Sequence, residues 1–149
     1  MNGPLNRLTL ATLFSLMLAA GASAETAALT ARKWGLIGFW SQDCSLQPDR
    51  DKGTVFAYEV EPDDRVVHRR YFGDTTDESD VIAAEVSKGG MLHLRVFFPR
   101  LKQTREYGLA MQPDGTMRAM YNRQKRDYTI KDGKFTANGK PTPPQHKCS

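Results

Sequence analysis

Catalytic signatures are what this sequence lacks. It has no G-x-S-x-G elbow, no glycine-rich phosphate loop and no H-E-x-x-H zinc motif. It has only three histidines: His68 and His93 have no histidine or cysteine beside them at zinc spacing, and His146 stands two residues before Cys148, a sulfur expected to be committed to a disulfide. Asp74, Asp77, Glu78 and Asp80 are dense in carboxylate but lack the central glycine and distal glutamate of an EF-hand loop. Asp63-Asp64 sits in a turn, where nothing in the sequence recruits either carboxyl as a general acid. These absences point to a protein that is not an enzyme and that holds no metal or cofactor. Long apolar runs are also scarce. Residues 8–20 form the one such stretch, and it is too short for a bilayer core that needs roughly 20 residues.

That run has the form of a secretory leader. One positive charge, Arg7, precedes it, and Ala22-Ser23-Ala24 supplies the small residues of a cleavage site. The expectation is a signal peptide over residues 1–24, cut after Ala24, a polar, alanine-rich lead-in over 25–33 that is either frayed or one short helical turn, and one domain over 34–149. A periplasmic or secreted location follows, with no stable membrane insertion. Losing Arg7 leaves 20 bases against 17 acids, a mild excess that licenses weak attraction to anionic surfaces and no more.

Cysteine is nearly absent too. The two that exist, Cys44 and Cys148, are expected to pair in an exported chain. The chain-entropy model gives a loop of this length about 4–5 kcal/mol.

From Trp34 onward the pattern is of short strands and turns. Residues 54–60 alternate, with Phe56, Tyr58 and Val60 on one face, and Pro62-Asp63-Asp64 turns the chain into a strand over 65–72. The acidic stretch 74–80 reads as a solvated loop before a strand over 81–87 and the Lys88-Gly89-Gly90 hairpin turn. Leu92, Leu94, Val96 and Phe98 then form one wholly apolar face, the mark of a strand with its back to a core. After Pro99 come strands over 102–112 and 116–122, the second with Met117, Ala119 and Tyr121 on one face. A last hairpin around Asp132-Gly133 leads into a proline-rich tail that cannot continue a ladder. About seven to nine strands with short connections make a meander, which avoids exposed edges most simply by closing into an up-and-down β-barrel. A two-sheet sandwich is the alternative for this all-β chain.

Gly38-Phe39-Trp40 resembles the G-x-W motif that opens the first strand of the calycins, the lipocalin and avidin-like barrels. The pairing of W-S-x-D-C-S with G-K-P-T-P and a terminal cysteine looks like small exported bacterial proteins. The calycin resemblance implies a lipocalin-like barrel in which Gly38 lets the chain bend, Trp40 plugs one end, and a late basic residue crosses the indole. Arg123 and Arg126 are the candidates for that residue.

Small barrels are filled by side chains or hold one ligand. Phe56, Tyr58, Tyr107, Met117 and Tyr121 are the candidate lining of such a cup, although a stripe of this kind is more often plain core. Which sheet face is inside depends on a register that sequence does not settle. Arg65, His68, Arg69 and Arg70 form one basic cluster, with a second over 118–126. Export argues against nucleic acid, which leaves an anionic envelope partner or a solvated face. The functional expectation is a monomeric, non-enzymatic barrel binding a small apolar or amphipathic ligand toward the end opposite Trp40. The alternatives are a module binding an envelope protein, such as an inhibitor of a lysozyme-like enzyme, and a structural envelope protein without a pocket.

Overall fold

The computed structural model describes residues 25–149. The leader read over residues 1–24 lies outside the described residues. What was read as lead-in folds as a helix, α1 (Ala27–Trp34), with Thr26 Oγ1 accepting from the Leu29 N–H at 3.2 Å as N-cap. Gly35 ends it at φ 88°, and the amides of Gly35 and Leu36 fold back onto the last turn. Eight residues are too few to hold a helix alone. Burial of Ala28 and Ala31 in the common core supplies the difference.

Ten strands follow: β1 (Gly38–Ser41), β2 (Val55–Val60), β3 (Val66–Tyr71), β4 (Thr76–Val86), β5 (Leu92–Phe98), β6 (Gln103–Met111), β7 (Met117–Gln124), β8 (Asp127–Lys131), β9 (Lys134–Phe135) and β10 (His146–Lys147). They form one antiparallel meander in the order β10-β1-β2-β3-β4-β5-β6-β7-β8-β9. The expected closed barrel is not formed. The sheet curls through 256° and stops as a half-barrel. The remaining gap is crossed by the tail, whose Gln145 exchanges backbone hydrogen bonds with Met117 at 2.8 and 2.9 Å. Prolines 141, 143 and 144 leave this segment too few N–H groups for a full strand, so it straps the opening rather than sealing it.

The acidic stretch is also different from its expected loop. β4 begins at Thr76, and its acids stand across the ladder from the arginines of β3, Asp77 opposite Arg70 and Glu78 opposite Arg69, while Asp80 bonds Arg65 just before that strand. Opposite charges on facing strands stabilise the pairing, so a run that looks like solvated loop is half of a strand pair. Arg69 reaches Glu59 and Glu61 as well.

Strand alternation sets the inner face. Leu92, Leu94, Val96 and Phe98 point inward as expected and are almost fully buried with Tyr58, Val66, Val81, Leu109 and Met117. Trp34 Nε1 donates to Gly90 O at 2.8 Å, and Arg32 lies 3.8 Å from Asp64, so α1 sits at the end of the sheet holding the β2–β3 and β4–β5 turns. Trp40 is 1% exposed and donates its indole N–H to Leu36 O at 2.8 Å.

The basic residue over its ring is neither Arg123 nor Arg126. It is Lys147 of β10, 5.5 Å from the ring centroid. Arg126 sits exposed in the β7–β8 turn, while Arg123 stands between Tyr121 and Tyr128. Gly38, at φ 135°, serves the C-terminus: a Cβ there would collide with Ser149 O and come within 2.9 Å of Lys147 Cε. Cys44 and Cys148 are bonded, with Cα atoms 5.4 Å apart.

Candidate functional site

The concave face and the tail strap enclose a cavity of about 280 Å³. Phe56 and Tyr58 come from β2, His68 and Arg70 from β3, Tyr107 and Leu109 from β6, and Met117, Ala119 and Asn122 from β7. Thr142, Pro143 and Gln145 of the strap form the remaining wall, while Gln42 and Thr54 border it from the β1–β2 loop, away from α1. Four of the five expected lining residues therefore meet here: Phe56, Tyr58, Tyr107 and Met117.

Tyr121 does not. A bulge in β7 pairs Gly108 with Tyr121 but Leu109 with Ala119, so the alternation slips at Met120. Met117 and Ala119 stay inside and Tyr121 turns outward. Its ring lies across Gly108, where an added Cβ would overlap it, and its hydroxyl is 2.7 Å from His93 Nδ1. A lone glycine opposite an aromatic was the sequence signal for that bulge.

Alternation along β3 also places His68 inside, a residue that sequence grouped with the surface basics. It lies opposite Tyr58 in the β2 register and opposite Ser79 in the β4 register. Its ring stacks on Tyr58 at 4.6 Å with an interplanar angle of 5°, and meets Tyr107 edge-on at 6.2 Å. Both ring nitrogens are buried without a hydrogen-bond partner, as are Ser79 Oγ and Gln145 Oε1. Burial, aided by the Arg70 charge, pushes the His68 imidazolium down to about 3, so the ring is neutral at ordinary pH. Burial likewise raises the Tyr58 and Tyr107 phenols, which stay protonated.

Arg70 is the only charged residue of the lining, and its charge is matched. It holds Asp77 by two hydrogen bonds and lies over the rings of Phe72 and Phe98, 5.5 and 5.4 Å from their centroids. Nearby, Arg105 gives Nε to Asn122 Oδ1 at 2.7 Å and Nη2 to Thr129 Oγ1 at 3.2 Å. The site is thus an aromatic pocket whose one charge, on Arg70, is matched by Asp77 outside the lining, with polar groups left unsatisfied.

A larger hollow of about 650 Å³ lies by the start of α1, bordered by β4–β7. Its half-buried polar side chains are engaged, His93 with Tyr121 and Arg123 with Glu106 and Tyr128, while Glu85 and Arg95 are exposed to water. The internal cavity is the one whose chemistry is incomplete. Among the described residues, no group of three His, Cys, Asp or Glu side chains converges as a metal site. No protein-family model, curated protein or solved structure matches this chain. The likeness to the calycins therefore rests on Gly38-Phe39-Trp40, and function must be read from the cavity itself.

Proposed function

We propose that this chain is an exported, monomeric, non-enzymatic binding protein that takes up one small apolar or amphipathic molecule inside its half-barrel. The observation that carries the reading is the cavity of about 280 Å³ between an aromatic concave face and a covalently tethered strap. Ligand sites are concave, mostly apolar and furnished with a few polar groups, and this cavity meets each of those conditions. An apolar cavity of about 150 Å³ already accepts benzene. The present one accommodates a ring with a short substituent and is too small for a long acyl chain. Export is supported by the leader-like N-terminus and by a disulfide that an oxidising compartment would preserve.

The test is thermal unfolding of the disulfide-bonded chain across a panel of small ring compounds, short-chain fatty acids and hydrophobic dyes. A ligand that binds only the native state adds about 2.7 kcal/mol at a hundredfold excess over Kd, which raises Tm. No shift with any member at millimolar concentration rejects the reading. The competing reading, a module for an envelope protein partner, draws its support from the outer hollow and the half-exposed Ile82 beside it. Capture of a stoichiometric partner on the tagged chain, undisturbed by filling the cavity, would favour it.

A further inference from the structure

We infer that the cavity selects an uncharged ring compound carrying a hydroxyl or amide group, with His68 as its hydrogen-bond partner. This rests on the cavity being a ligand site, as proposed above. Three features of the lining lead to it.

The first is shape. Tyr58 stacks flat on one face of the imidazole and Tyr107 stands edge-on to it, so the walls are planar rings at angles that favour another ring.

The second is charge. Arg70 is already matched by Asp77, and neither a cation nor an anion finds an unspent countercharge in the lining. An anion would have to displace Asp77, and a cation would face Arg70. Either would lose its hydration on entry with no repayment, which is the costliest transfer a ligand can make.

The third is the unmet hydrogen bonding. A neutral imidazole offers one donor and one acceptor, and both of its nitrogens are buried and idle beside a cavity that the strap only partly covers. Gln145 Oε1, an acceptor on the strap, is idle as well. Buried polar groups without partners are rare and destabilising. His68 borders the cavity, and bonding an occupant requires one of its covered ring nitrogens to turn toward the cavity. A hydroxyl or amide, being both donor and acceptor, suits whichever tautomer the ring adopts. A purely apolar ligand would leave the deficit in place.

The experiment compares three probes of one shape against the full disulfide-bonded chain by calorimetry: 4-methylphenol, p-xylene and 4-methylbenzoate. One net hydrogen bond corresponds to roughly tenfold in affinity. The phenol is expected to bind about tenfold more tightly than p-xylene, with the benzoate weakest. His68→Phe keeps a ring in place without nitrogens. It is expected to retain p-xylene and to bring the phenol-to-xylene ratio close to one. Should that variant fail to fold, the imidazole ¹⁵N resonances of the wild-type chain give the same answer, shifting with 4-methylphenol and staying fixed with p-xylene.

Equal binding of phenol and p-xylene, fixed ¹⁵N resonances with the phenol, or tightest binding by the benzoate would overturn the inference while the cavity reading stood. The last result would place selectivity at a cation, Arg70 in the wall or Arg105 behind Asn122. Failure of all three probes to bind would remove the cavity reading and this inference with it.

Discussion

The bond between Cys44 and Cys148 offers the most direct energetic test of the fold. Replacing both by alanine removes a cross-link spanning 104 residues. The loop-entropy relation gives about 16 cal/mol/K for that length, or about 4.8 kcal/mol at 25 °C. The structure argues for a loss close to this value, because the native tail keeps its other ties when the bond is cut, the Phe39 N–H to Ser149 O and the Thr142 hydroxyl to Ala119 O among them. β10 contributes two register pairs to β1, and the strap adds the Met117–Gln145 exchange. The Cα separation of 5.4 Å lies within the range of ordinary disulfides, so no distortion is relieved by cutting it. The expected cost is on the order of 3–5 kcal/mol. Urea denaturation of the two proteins would measure it, with the slope rising in the variant because an uncrosslinked chain exposes more surface. Intact mass under non-reducing conditions, two daltons below the reduced value, confirms the starting state. A loss under about 1 kcal/mol would refute the reasoning, since the unfolded chain would then gain no freedom from release of the tie.

Three further outcomes are expected. Trp40→Ala should cost about 3–5 kcal/mol in the same assay, because a fully buried indole and its bond to Leu36 are lost; a cost below one would take Trp40 out of the core. Gly108→Ala should cost about 1–3 kcal/mol and displace Tyr121 from His93, seen in the Tyr121 ring resonances, while unchanged stability would show that the ring is not held there. His68 is depressed to about 3 against about 6.5 unfolded, so below pH 6.5 the unfolded chain takes up a proton that the native one refuses. Stability should therefore be lost between pH 6.5 and 3 by up to about 1.4 kcal/mol per pH unit more in the wild type than in His68→Phe. Parallel pH profiles for the two proteins would show that the imidazole is not buried neutral beside Arg70 and Asp77.

Much of the architecture was legible where local pattern and global fold agree. β5 announces its inner face because every second residue is apolar, and two cysteines at opposite ends of a chain have one partner each. Legibility failed where a remote partner decides. The acids of β4 look like loop until the arginines of β3 stand opposite them, and α1 is too short to be a helix without the core it helps fill. Four residues of the cavity wall, Phe56, Tyr58, Tyr107 and Met117, stand out in the sequence as an apolar and aromatic stripe, while Tyr121 faces away from it because of one bulged residue in β7. His68 was hidden by its neighbours Arg69 and Arg70, since the cluster was read as one surface when alternation splits it between two. The strap could not be seen at all, because nothing in a run of prolines says what it will cover.

The tie between Cys44 and Cys148 also governs how the domain responds to tension. A pull applied between Glu25 and Ser149 runs through α1 and β1 to Cys44, crosses the sulfur bridge, and leaves at once through the last residue. β2 to β9, with the cavity between them, lie outside that line of force. A protein held by its two ends would stretch its first segment while its pocket stayed unloaded.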